Sequence, residues 1–252
     1  MLPEEFYEEF ERAPIAYWAC GAMEEHGLHN ALGTDYVQCY GVCLRAVEIT
    51  GGIVFPPVPL APAGVPGFSR QELRSGAFQT YPPSLWVSRE ACETVYTELL
   101  ESMADLGFRA CAALGGHYPA DLLLQEIHER TNGRVGSMAF WGGGTVSLLK
   151  DDFLPKLRQR DPLADGHGTF WETSLVMAIR PDWVDLSRLP NLERSPLPSQ
   201  LRANRSEVYA HIADANPELG QQVLQAAVDS LVAKVRMPLA QADASDRECS
   251  PC

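Results

Sequence analysis

The chain has 252 residues, 46% of them hydrophobic and 21% charged, which is ample apolar material for one large α/β domain or two small ones. A formal net charge of -13 at pH 7 makes nucleic acid and anionic membrane poor partners, since nothing on such a surface would neutralise phosphates. The acidic, amphipathic N-terminus "MLPEEFYEEFERAP" lacks a basic stretch followed by an apolar one, and no apolar run nears the roughly 18–20 residues of a membrane span. A cytoplasmic location is expected.

Strand and helix patterns alternate along the chain. "IAYWACGA" (15–22) reads as a short buried strand. It feeds the loop "MEEHGLHNALGTD" (23–35), which carries two glutamates, two histidines and an aspartate. Thr34 can cap a helix opening at Asp35, with Val37, Tyr40, Leu44 and Val47 at helical spacing. "GGIVFPPVPL" (51–60) reads as the next strand, broken by prolines. The Gly/Pro-rich connection over 61–83 is long for a loop, and long loops often line sites.

Ser88 opens a helix whose apolar stripe is Cys92, Val95, Tyr96, Leu99, Met103 and Leu106, and Gly107 ends it. "FRACAAL" (108–114) is a central strand, and "GGHYPAD" turns into a helix with Pro119 suited to its first position. "VGSMAFW" (135–141) is a strand followed by the glycines of "WGGG". "GTFWETSLVMAIRP" (168–181) is a helix that Pro181 terminates. A last helix covers about 217–235. Residues 241–252, "QADASDRECSPC", read as a disordered tail after a single domain over 1–240.

Such alternation implies βαβ units and a mainly parallel sheet covered on both faces. Ligands in such folds sit beyond the carboxyl ends of the strands, so the loop at 23–35, "GGH" and "WGGG" should meet at one edge. Of six histidines, His26, His29, His117 and His167 lie in Gly-flanked connections, whereas His128 and His211 fall within helices. Hard divalent ions take carboxylate and imidazole ligands at about 2.0–2.2 Å. Two ions about 3.5–4 Å apart need a carboxylate between them, and an aspartate on a first helical turn, such as Asp35, can bridge.

The bland readings are clear too. Glu172 follows Thr169 in a capping-box pattern. Glu25 reads as a solvated loop charge, and His29 as a structural support. Trp86, Trp141 and Trp171 read as core or wall. Seven cysteines without a disulfide pattern include five in apolar segments, read as small buried residues, and a terminal C-x-x-C (Cys249, Cys252) with no metal or redox role.

"GAMEEHGLHNALGTD" resembles the signature of the creatininase family, roughly G-S-x-E-Q-H-G-P-H-L-P-L-G-T-D. It agrees at Gly21, Glu24, His26, Gly27, His29, Leu32, Gly33, Thr34 and Asp35. "GGHYPAD" resembles that family's N-G-H segment, and "HGTFWETSLVMAIRP" its H-A-G-x-x-E-T-S helix. The three blocks stand in the family's order, and the likeness runs from about Ile15 to Lys234.

The resemblance implies a three-layer α/β/α sandwich and a metal-dependent amidohydrolase that cuts a linear or cyclic amide of a small molecule. Glu24, Asp35 and His117 would hold one divalent ion. His26, Asp35 and Glu172 would hold the other. The nucleophile would be a metal-bound water, its pKa lowered from roughly 15.7 toward about 7. His167 would pass a proton to the leaving nitrogen. Zinc suits the oxygen and nitrogen ligands, with manganese or iron(II) as alternatives. A homo-oligomer, often a hexamer in relatives, is also implied. A short-peptide hydrolase or a catalytically silent metal-binding scaffold are the other readings. The chain departs from the family at Gly115 and Ala120, where asparagines stand, and at Pro119, where creatininase itself carries a glutamate that helps at the substrate. A proline has neither carboxylate nor N–H. The implication is an intact metal centre with a changed substrate pocket.

Overall fold

Two stretches of six consecutive buried residues, Ile15–Cys20 (β1) and Ala110–Gly115 (β3), form the centre of the sheet. Unbroken burial is the signature of strands covered on both faces. In this computed structural model, which describes residues 1–62, 69, 71–72, 84–160, 167–189 and 212–248, they join β2 (Ile53–Val54), β4 (Arg134–Val135) and β5 (Met138–Gly144) in the order β2-β1-β3-β5-β4. All pairings are parallel except β4 with β5.

The helices are α1 (Pro3–Arg12), α2 (Thr34–Thr50), α3 (Arg89–Asp105), α4 (Tyr118–Arg130), α5 (Thr145–Leu149), α6 (Leu154–Arg160), α7 (Phe170–Ile179) and α8 (Pro217–Glu248). Period-two alternation divides the core between the sheet's faces. Tyr17, Ala19, Ala112 and Leu114 pack with Val42 of α2, Leu157 of α6, Leu175 of α7 and Val228 of α8. Ala16, Trp18, Cys111 and Ala113 pack on the other side with Tyr96 of α3 and Leu124 of α4. The result is the expected three-layer α/β/α sandwich.

Several boundaries differ from the sequence expectation. Of the segment 51–60 only Ile53–Val54 is regular strand, because Pro56, Pro57 and Pro59 cannot donate to a ladder; Val58 makes one bridge, to Cys20. Gly142–Gly144 are the last residues of β5, not a loop, and pair with Ala113–Gly115. Gly33, not Thr34, caps α2, and the Thr34 hydroxyl donates to the Ala31 carbonyl at 2.7 Å. The buried stripe of α2 is Cys39, Val42, Cys43 and Ala46, while Leu44 is exposed. These small side chains bring α2 close to the sheet. Ser88 caps α3 as expected, accepting from the Ala91 N–H, but Leu106 lies beyond that helix and is exposed. Tyr118 is the first residue of α4 and Pro119 the second, where a missing N–H is equally harmless. The last helix continues past Val235 to Glu248, into the segment read as a tail.

Cys20, Cys39, Cys43, Cys92 and Cys111 are buried and free, and burial pushes their thiols upward, as inert core residues require. Most of the 61–83 connection, His211, Cys249 and Cys252 lie outside the described residues. Among the described residues no helix is long and apolar enough to cross a membrane.

Candidate metal centre

The chain leaves β1 at Cys20 and β3 at Gly115, and both exits press against the first turn of α2. A Cβ on Gly116 would stand 1.9 Å from the Asp35 carbonyl oxygen. A Cβ on Gly21 would stand 2.8 Å from the Asp35 Cβ. Only glycine permits such backbone approach. The approach brings the loop after β1, which carries Glu24 and His26, against Asp35 of α2 and His117, the N-cap residue of α4. The fourth contributor is the start of α7, where the Glu172 carboxylate accepts from the N–H groups of Gly168 (2.7 Å) and Thr169 (3.2 Å). Glu172 thus does complete the capping box with Thr169, and it faces the same cluster.

All five residues are buried, with exposures between 1% for His26 and 9% for Glu172. The His26 Nδ1–H donates to the Glu24 carbonyl at 3.2 Å, which leaves Nε2 turned toward Asp35 Oδ1 at 2.9 Å. His117 Nδ1 lies 2.9 Å from Glu24 Oε2 and 3.4 Å from Asp35 Oδ2. Glu24 Oε2, His26 Nε2 and Asp35 Oδ2 nevertheless have no aligned hydrogen-bond partner. Buried polar atoms left that way are rare and call for an occupant. Ligand atoms of Glu24, Asp35 and His117 lie within 4.8 Å of one another, as do those of His26, Asp35 and Glu172. A third such group, Glu24, His26 and His167, overlaps both. Imidazole and carboxylate donors without cysteine fit a hard or borderline divalent cation.

The electrostatics have the same cause. Burial would lower the His26 and His117 imidazoles, but the carboxylates outweigh it. Asp35, Glu172 and Glu24 push His26 up to about 10, and Glu24 and Asp35 push His117 up to about 10. Burial would raise Asp35, yet the two imidazoles drive it far below the carboxylate range. Glu24 and Glu172 are raised, chiefly by desolvation. The buried carboxylates therefore favour positive charge beside them, from protons or from metal.

His167 stands at the rim of the cluster. Its Nε2 is 2.5 Å from the Glu25 carbonyl oxygen, its Nδ1 is 3.8 Å from Glu24 Oε2, and its ring centroid is 4.1 Å from that of His26. His29 is buried and bonds the Thr173 hydroxyl through Nε2 at 2.9 Å, tying the loop to α7 as a structural residue. His128 reaches the Phe140 carbonyl and joins α4 to β5. Trp171 is core and Trp141 packs half-buried against the same cluster.

Two acids defy their sequence reading or escaped it. Glu25 is not solvated: it is 6% exposed, and its carboxylate accepts from the Gly27 N–H at 2.8 Å. Asp121 is buried in α4 and accepts from the Ser147 hydroxyl (2.6 Å) and the Gln125 amide (2.8 Å), clipping α4 to α5. Its place three residues before Leu124, on the apolar face of "YPADLLL", was the available signal. Gly115 and Ala120 are packing solutions, since a Cβ on Gly115 would stand 2.6 Å from the Asp121 nitrogen and Ala120 is fully enclosed. An asparagine at 115 would push α4 off β3.

A parallel-centred α/β/α sandwich with buried imidazoles and carboxylates at its strand ends is the frame of a metal-dependent hydrolase. The family model described as "Creatininase: Creatinine amidohydrolase" matches residues 1–235. A creatinine amidohydrolase of Pseudomonas putida is 24% identical over 240 residues, covering 86% of each chain. A solved mutant creatininase of Zn-Zn type shares the fold with a TM-score of 0.66 at 22% identity, covering 100% of this chain and 97% of its own. A manganese form of creatininase superposes with a TM-score of 0.65 at 21% identity and the same coverage. The chain belongs to the creatininase family. By that membership it is an amidohydrolase, a hydrolase of carbon–nitrogen bonds other than peptide bonds.

Proposed function

We propose that the chain hydrolyses a small-molecule amide with two divalent ions, one held by Glu24, Asp35 and His117 and the other by His26, Asp35 and Glu172. The observation that carries this is the pair of buried donor triads that share Asp35 alone. The ions would polarise the amide carbonyl and make a water acidic enough to attack at neutral pH. The protein's own part is positional and protonic. Buried carboxylates exclude bulk solvent, and Gly21 and Gly116 hold Asp35 between the two histidines. His167 turns Nδ1 toward the cluster, where it would take the proton released by the attacking water and pass it to the nitrogen as the C–N bond breaks. Zinc is the first choice of metal, with manganese or iron(II) as alternatives; the Zn-Zn and manganese forms of the related creatininases support the first two.

The substrate is a lactam or formamide in preference to creatinine. A mutant of a related creatininase is known complexed with creatine, but Pro119 supplies no carboxylate at the position where the family resemblance puts creatininase's glutamate. Residues 1–240 act as one catalytic unit, in a cytoplasmic homo-oligomer of the hexameric kind, a reading supported by the family likeness.

The test combines metal content with turnover. Protein purified without chelator or nickel should hold about two divalent ions per chain, as a carboxylate-bridged pair requires. It should hydrolyse members of a panel of lactams and formamides faster than short peptides. A chain that takes up neither zinc nor manganese, or that binds them and cleaves nothing on the panel, overturns the proposal.

A further inference from the structure

Glu25 uses three of its groups to build the wall beside His167. Its N–H donates to the Ser84 hydroxyl at 3.0 Å. Its carboxylate accepts from the Gly27 N–H at 2.8 Å, closing a turn in which Gly27 has φ 87°. Its carbonyl oxygen faces His167 Nε2 at 2.5 Å. A carbonyl only accepts, so His167 must carry its proton on Nε2 to make that bond. In the neutral ring the bare nitrogen is then Nδ1, the one that faces Glu24 and the metal cluster. The backbone after His167 seats on the same loop, for a Cβ on Gly168 would lie 3.2 Å from the His26 carbonyl oxygen.

We propose that Glu25 is a positioning residue: its clamped turn holds the carbonyl that sets the tautomer and orientation of His167. The proposal rests on the reading of His167 as the proton carrier. The family signature has glutamine here, and its amide oxygen can accept from the Gly27 N–H as a carboxylate does. The clamp therefore needs an acceptor of this length, not a charge.

The experiment is nitrogen-15 NMR of ring-labelled histidine in zinc-loaded protein, with His167→Gln identifying the His167 signals. Wild type should show His167 protonated on Nε2. Glu25→Ala should show a mixture of tautomers, and Glu25→Gln should restore the wild-type signal. Zinc content should match wild type in both. On an amide that the wild type cleaves, kcat of Glu25→Ala should fall about tenfold or more with KM little changed, the order lost when a supporting group is removed. A wild-type His167 signal in Glu25→Ala overturns the proposal, as does a wild-type spectrum in which His167 Nδ1 is bound to zinc. Thermal unfolding separates a misfolded alanine variant from a folded one, and the glutamine variant decides the matter if alanine does not fold. A wild type that binds no zinc sinks the hydrolase reading instead, while the metal-free ring signals still decide the role of Glu25.

Discussion

The two oxygens of Asp35 serve two histidines: Oδ1 stands 2.9 Å from His26 Nε2, and Oδ2 stands 3.4 Å from His117 Nδ1. One carboxylate on the first turn of a helix thus divides the cluster into halves. Asp35→Asn keeps the shape but turns one of the two acceptors into an amide nitrogen, which has no lone pair for a cation. Metal content should fall from about two ions per chain to one or fewer, an affinity loss of at least 10–100-fold by analogy with lesser changes around metal sites. Elemental analysis of both proteins side by side checks this; equal content in the two would rule out the shared ligand.

His167 should be separable from the metal. Its exchange for alanine should leave both ions bound and lower kcat by about 10²–10⁴-fold, the usual contribution of a general acid or base. Metal loss in parallel with activity would make His167 a resident ligand with Glu24 and His26, the third donor group.

Stability against pH follows from the raised imidazoles. His26 and His117 titrate near 6.5 when unfolded and at about 10 when folded without metal. A raised pKa stabilises the folded state fully below the unfolded value, and the gain is lost as pH rises through the folded one. Chelator-treated protein should therefore lose stability between about pH 6.5 and 10. Zinc-loaded protein, whose imidazoles are already neutral, should show a shallower loss. Thermal melts across that range decide it; parallel slopes with and without zinc would count against the ligand assignment. Calorimetry in buffers of different ionisation enthalpy should also show about two protons released per chain on zinc binding at pH 7.

Gly116→Ala places a methyl on the Asp35 carbonyl, and backbone cannot yield as a side-chain tip does. Overpacking of this kind costs about 1–3 kcal/mol, and the displaced α2 turn should weaken metal binding as well. Chemical denaturation and a metal titration on the variant check both; a wild-type result in each would mean the two exits sit further apart than described.

The candidate ligands were legible because their motifs are local: Glu24, His26 and Asp35 stand in one short stretch that runs from the loop after β1 into α2, and Thr169 with Glu172 announces a helix start. The sheet was legible because β1 and β3 are apolar without interruption. Three things were hidden. Glu25 stands next to another acid, and adjacent charges read as solvated until a turn such as that at Gly27 folds one inward. The face of α2 turned on whether Leu44 or the small Cys43 met the sheet, and close approach to β1 favoured the smaller. Gly142–Gly144 have no side chains to reveal a strand, yet they extend β5, where the Leu124 carbonyl leaves no room for a Cβ on Gly142 and Gly115 with Asp121 leaves none on Gly144.

The candidate donors come from three distant parts of the chain: the stretch that runs from the loop after β1 into α2, His117 at the start of α4, and the first turn of α7. An ion bound there is a removable staple between segments that the unfolded chain holds far apart. It stabilises only the folded form, so resistance to unfolding should rise with the logarithm of free metal above its dissociation constant. Metal supply then governs how long the chain survives proteolysis as well as how fast it turns over.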